Sequence, residues 1–204
     1  MRNYVDLSSY YPTEINFGKY NLIQTTGKMV SAQNIIDFYG KGNFVNEFTT
    51  QYTLRRNQNE YVMDSGPFEM VTNKNFLDNV NGDVLIVGLG IGLIVYPLLN
   101  DININSITIL EIDQDIIDYI GGILKENDSL NKVTIVKGDV FQYHTLIPTQ
   151  KFDYIYFDFW DALTNDAYDE MTTLKQLYGN NLKNSSSTIH CWCEDIKDLL
   201  ILEI

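Results

Sequence analysis

The sequence predicts an α/β fold: a doubly wound, mostly parallel sheet preceded by a small antiparallel β-hairpin unit. Three observations carry this. From Asp83 onward, short and nearly continuous apolar runs alternate with amphipathic segments of helical period, the pattern of parallel strands covered on both faces. Between Asn43 and Met63 the pattern is instead alternation, through Phe44, Tyr52, Leu54, Tyr61 and Met63, with Asn57-Gln58-Asn59 as the turn. In 204 residues, 45% hydrophobic and 13% aromatic content is enough for one shared core and excludes a disordered or low-complexity chain. The expected division is residues 1–80 as an N-terminal extension with hairpin and helix, and 81–204 as the doubly wound domain.

The elements are expected in the following order. Residues 1–40 are polar and rich in Tyr and Asn, with one short helix from Ser31 to Tyr39, where Ile35, Ile36 and Tyr39 recur at helical spacing. Gly66-Pro67 ends the hairpin unit, and Phe68 to Val80 is expected as one helix carrying Met70, Val71, Phe76, Leu77 and Val80. A strand from Asp83 to Val87, a helix from Ile91 to Leu99, a strand from Ser106 to Leu110 and a helix from Gln114 to Lys125 follow. Next come a strand from Lys132 to Val136, an irregular stretch to Gln150, a strand from Phe152 to Phe157, a helix from Asn165 to Tyr178 and a strand from Ser187 to Cys193.

Charge narrows the partners. Of the net charge of −13, residues 1–80 carry −1 and residues 81–204 carry −12. A field of that sign repels phosphate backbones, so nucleic acid is an unlikely partner. Arg55-Arg56 is expected as a solvated pair beside the hairpin turn. No apolar run reaches membrane-spanning length and Met1-Arg2-Asn3-Tyr4 lacks the core of a secretory signal, so no membrane partner is expected and the chain is expected to be cytoplasmic. His190-Cys191-Trp192-Cys193 is too sparse for a disulfide framework, and with only His144 elsewhere it falls short of a zinc set. Buried thiols on a strand are expected, and no metal.

Ligands in doubly wound sheets gather beyond the carboxyl ends of the strands. Four such ends carry suggestive residues. Gly88-Leu89-Gly90-Ile91-Gly92 follows the first strand, where glycine permits a tight turn and close backbone approach, although good packing alone also explains it. Leu93 stands where the dinucleotide fingerprint requires glycine, which argues against nicotinamide. Glu111 ends the second strand where a carboxylate can accept both hydroxyls of a ribose, or simply neighbour Asp113 as a helix cap. Gly138-Asp139 can meet an adenine amino group or form a turn. Asp158-Phe159-Trp160-Asp161 can bind an amine, coordinate a metal or supply a general base, or Asp161 can cap a helix.

As an ordered series these motifs resemble the class I S-adenosylmethionine-dependent methyltransferase fold, in its spermidine-synthase-like branch, over about Gln51 to Trp192. The resemblance implies a Rossmann-like domain binding S-adenosyl-L-methionine or its decarboxylated form through Gly88, Gly90, Gly92, Glu111 and Asp139. It implies Asp158 as the base on the attacking group, with Asp161 and Trp160 on the acceptor. There are departures. Ile91 stands where the family usually has Asp, Asn73 to Asp78 lacks its Tyr-His-Glu segment, and no Asp-Pro-Pro-Tyr motif occurs. Asp158-x-Trp160 is also similar to metal-dependent catechol-type O-methyltransferases, in which the first Asp binds magnesium.

The leading expectation is methyl transfer to a small or cationic acceptor. The alternatives are a spermidine-synthase-like aminopropyltransferase and a catalytically silent nucleoside-binding or interaction module. The final antiparallel hairpin usual in such folds has no counterpart, leaving the strand from Ser187 to Cys193 with an open edge. A homodimer is therefore expected, unless the tail from Asp195 to Ile204 covers that edge as a helix.

Overall fold

A computed structural model describes residues 2–26 and 50–194. The expected helix from Ser31 to Tyr39 and the tail from Asp195 to Ile204 lie outside them. The N-terminal unit is a four-stranded antiparallel sheet in the order β1 (Glu14–Phe17), β2 (Tyr20–Thr26), β3 (Thr50–Arg56), β4 (Glu60–Asp64). Two of its strands come from the first 26 residues, where the sequence reading found no strand. The strands are short, EINF and YNLIQTT, and their apolar residues include the adjacent pair Leu22-Ile23, which breaks a strict alternation. Asn57 and Gln58 both adopt positive φ in the three-residue turn Asn57–Asn59 that joins β3 to β4, where Arg56 pairs with Glu60.

Two short helices follow, α1 (Pro67–Thr72) and α2 (Lys74–Asn79), in place of the single expected helix. Asn73 separates them. Its side-chain amide donates to the Glu69 carbonyl at 3.0 Å and its side-chain oxygen accepts from the Tyr156 hydroxyl at 2.8 Å, local bonds that compete with the helical ladder.

The second sheet is five-stranded, in the order β7-β6-β5-β8-β9, with every pair parallel. Its strands are β5 (Gly82–Val87), β6 (Ile104–Glu111), β7 (Val133–Lys137), β8 (Tyr154–Phe157) and β9 (Thr188–Cys191). Helices α3 (Gln114–Asn127), α4 (Val140–Leu146) and α5 (Asn165–Tyr178) complete a Rossmann-like, doubly wound fold. Side chains alternate across β5: Val84 and Ile86 join the core under α3 and the N-terminal sheet, while Leu85 and Val87 join the core under α4 and α5. This two-sided burial explains the near-continuous apolar runs.

Two further expectations are corrected. Ile91 to Leu99 forms no α-helix but a series of turns with one 3-10 turn at Tyr96–Leu98. Pro97 cannot donate to a helix, Gly92 sits at φ +71°, and the Ile91 carbonyl is taken by the Tyr11 hydroxyl at 3.0 Å. The supposedly irregular stretch to Gln150 contains α4, whose inward face is only Val140 and Tyr143, too short a stripe to read by period. Cys191 and Cys193 are buried and not disulfide-bonded, Cys193 just beyond β9. Among the described residues, no helix is long and apolar enough to cross a membrane.

Candidate active site

Strand order reverses between β5 and β8, and the crevice at their carboxyl ends is roofed by the N-terminal sheet. The cavity there is about 190 Å³, bordered by Gly88, Leu89, Gly90, Glu111, Asp158, Trp160 and Asp161 from below and by Tyr20, Arg56 and Met63 from above. Six of the eight residues singled out from the sequence thus share one cleft. Gly92 and Asp139 do not border it. A Cβ on Gly92 would press on the Tyr96 ring, so this glycine serves the packing of the turn. Asp139 caps α4, accepting from Phe141 N at 2.9 Å and from the Gln142 side chain at 3.2 Å.

Gly88 is where the glycine turn meets the strand bearing Asp158. Its φ is +94°, and an added Cβ would lie 2.0 Å from the Asp158 carbonyl oxygen. A larger residue would both strain the backbone and push these strand ends apart. At Gly90, also at positive φ, a Cβ would lie 2.3 Å from the Met63 sulfur. The loop is therefore a cradle without side chains between two layers of the protein.

Glu111 is buried. One carboxylate oxygen accepts Leu89 N at 2.9 Å and the other accepts Asp113 N at 2.8 Å. Burial raises its pKa, and the same N–H groups oppose that rise. A carboxylate has about four acceptor positions, so Glu111, which borders the cleft, can accept further bonds beside these. Beside it Ile112, 66% exposed, offers an apolar surface to the cavity. A fixed diol acceptor, an apolar shelf and a bare backbone cradle suit the ribose, base and chain of an adenosyl sulfonium.

Across the cleft, Asp158 continues β8 with its N–H bonded to the Val87 carbonyl at 2.8 Å, and burial pushes its carboxyl well above the usual range. Trp160 stacks on Phe159 and donates Nε1 to Glu170 at 2.8 Å. Asp161 is exposed and pairs with Arg56 Nη2 at 3.0 Å, while Arg56 also holds Glu60. Arg56 is thus a tie between the roof and the strand end, correcting the expectation of a merely solvated pair. On the far side of β6, Tyr20 donates to Asp113 at 2.9 Å and Lys19 pairs with the same carboxylate, so the roof is fastened on both flanks.

Sequence reasoning missed Glu69. It is 8% exposed in α1, borders the cleft, and has its pKa raised by burial and by the neighbouring charges of Asp158 and Asp64. A signal existed: Glu69 and Asn73 lie seven and three residues before Phe76, the inward spacing of a helix, so both polar groups were aimed at the core. A larger cavity of about 450 Å³, lined by Asn79, Asp153, Ser187 and His190, opens at the amino ends of β8 and β9, away from the ligand edge of such sheets. No group of three or more His, Cys, Asp or Glu able to hold a metal occurs among the described residues.

Among solved structures the chain is similar to a Staphylococcus aureus protein provisionally described as a caffeoyl-CoA O-methyltransferase, at 14% identity and TM-score 0.42, covering 77% of this chain and 62% of that one. It is similar also to spermidine synthase from Thermotoga maritima, at 16% identity and TM-score 0.46, covering 84% and 53%. A spermidine synthase in complex with the transition state analogue AdoDATO gives 15% identity, TM-score 0.45 and coverage of 84% and 53%. The chain thus spans between about half and three fifths of the length of these proteins. No curated protein matches it. The model of the spermine/spermidine synthase domain matches residues 68–183, more than half of the chain, and the chain belongs to that domain family.

Proposed function

We propose that the protein is an S-adenosylmethionine-dependent transferase acting on a small, cationic amine, with methyl transfer as the leading reaction. The observation that carries this is the convergence of the Gly88-Leu89-Gly90 cradle, Glu111 and Asp158 in one cleft. Glu111 accepts the ribose hydroxyls with its free lone pairs. Gly88 and Gly90 admit close backbone approach, and Gly92 keeps the turn in shape. Held by these residues, an adenosyl sulfonium would supply an electrophilic carbon to the acceptor's lone pair and would keep the carbon–sulfur electron pair as a neutral thioether. Asp158 takes the proton that frees the acceptor's lone pair, and its raised pKa suits a base working near neutrality. Trp160 and Asp161 border the cleft, Asp161 at its exposed rim in a pair with Arg56. The cavity is smaller than the roughly 300 Å³ at which ordinary ligand pockets begin.

Aminopropyl transfer from the decarboxylated sulfonium is the second reading, favoured by the domain family. Against it, Ile91 is fully buried, so no carboxylate stands at the position where that branch usually carries Asp. Thermal-shift titration with S-adenosylmethionine, its decarboxylated form, S-adenosylhomocysteine, methylthioadenosine and NAD separates the two. Stabilisation by the first and third supports methyl transfer, by the second and fourth aminopropyl transfer, and by none supports a silent interaction module. Activity dependent on added magnesium would recast Asp158 as a metal ligand. For assembly we propose a homodimer through the outer edge of β9, which pairs only with β8 among the described residues. Light scattering at micromolar concentration should then read twice 23.5 kDa, and a mass of one chain would overturn it.

A further inference from the structure

The geometry points to Glu69, rather than Asp161, as the carboxylate that binds the cationic group of the acceptor. This rests on the transferase reading but makes a separate claim about a different part of the cleft. The resemblance assigns the amine to Asp161, yet that side chain is exposed and already paired with Arg56, which also holds Glu60. An incoming ammonium would have to displace a guanidinium from a solvated carboxylate, a weak source of affinity.

Glu69 is differently placed. It is nine-tenths buried and borders the cleft together with Asp158. A relay of buried side chains aims it: the Tyr156 hydroxyl donates to Asn73 Oδ1 at 2.8 Å, and Asn73 Nδ2 donates to Glu69 Oε2 at 3.3 Å. The groups acting on Glu69 are the Asp158 and Asp64 carboxylates and the Trp192 indole, and it in turn acts on the Tyr4 and Tyr61 hydroxyls. Asp158 acts on Tyr4 and Tyr156 as well. None of these groups is a cation. Asp158 itself makes no side-chain hydrogen bond among the described residues, so two acidic groups face one small cleft uncompensated. Burial of both groups, and for Glu69 also the nearby charges of Asp158 and Asp64, favour their protonated forms when the cleft is empty. An ammonium entering between them restores the charge balance and releases a proton to solvent.

The test uses the full chain, with and without saturating S-adenosylhomocysteine, titrated calorimetrically with n-butylammonium chloride and with 1-butanol. Butylammonium should bind at least about tenfold more tightly than butanol, and Glu69→Gln should weaken it by at least about tenfold, the effect of removing one partner of a buried charge pair. Asp161→Asn should change it by less than about twofold. Heats in two buffers of different ionisation enthalpy should show proton release in the wild type that is reduced in Glu69→Gln and partly restored in Glu69→Asp, which a purely structural role would not produce. Equal binding of butanol, an unaffected Glu69→Gln variant, or a larger loss in Asp161→Asn would overturn the assignment. Failure of S-adenosylhomocysteine to bind would defeat the transferase reading, while the titration of the free chain still decides the role of Glu69.

Discussion

The two halves of the cleft treat their carboxylates in opposite ways. On the β6 side, Glu111 is buried but satisfied, each oxygen accepting a backbone N–H supplied by the loops that surround it. On the β8 side, buried Glu69 and partly buried Asp158 border the same cleft, and Glu69 accepts the Asn73 side-chain amide at 3.3 Å. The difference teaches what each half is built for. Groups neutralised by peptide dipoles hold a fixed, uncharged ligand part and need no change on binding. Groups left to repel each other keep their protons and respond to a charge that arrives.

The strongest way to break this contrast is to remove the proton acceptor. Asp158→Asn preserves shape but cannot take a proton, and turnover should fall by about 10²–10⁴-fold with sulfonium affinity nearly unchanged, measured by steady-state kinetics and calorimetry. Equal loss in both would make Asp158 structural. Gly88 is the seam between the halves, so Gly88→Ala should disturb both, costing about 2–4 kcal/mol of stability in a urea melt because a Cβ cannot fit against the Asp158 carbonyl. A tolerated alanine would show that the seam can part without cost.

A smaller effect sharpens the comparison through pH. Glu69, Asp158 and Glu111 have pKa values raised in the folded state, so the stability they contribute is complete below the unfolded carboxylate range and is lost as pH rises through their folded values. The acids held low, such as Asp83 with Lys183 and Asp113 with Lys19, act in the opposite sense, losing stability only below about pH 4. The empty protein should therefore be most stable in mild acid and lose about 2 kcal/mol between about pH 5.5 and 8.5. Glu69→Gln should reduce that slope and leave the share carried by Asp158 and Glu111, whereas Asp113→Asn should not reduce it. A slope unchanged by Glu69→Gln would place the buried charge elsewhere.

Much of this was legible in the sequence where local rules decide. The strand around Ile86 reads from its apolar run, the helix Asn165–Tyr178 from its Thr164 cap and its inward Ala167, Met171, Leu174 and Tyr178, and Glu111 and Asp158 from their places just after apolar strands. Long-range pairing was not legible. Nothing near Arg56 announces Asp161, and nothing near Glu69 announces Asp158, because the topology and not the spacing brings them together. The turn from Ile91 to Leu99 misled because its residues are all suited to burial, and burial does not distinguish a helix from a run of turns when a glycine and a proline interrupt it.

We propose that the carboxyl ends of the parallel strands hold an adenosyl sulfonium through Glu111, and calorimetry of S-adenosylhomocysteine binding decides it. The wild-type chain should bind, and Glu111→Ala should lose about 1.5–3 kcal/mol with the fold intact by circular dichroism. Unchanged affinity in that variant, or no binding to the wild type, would contradict it.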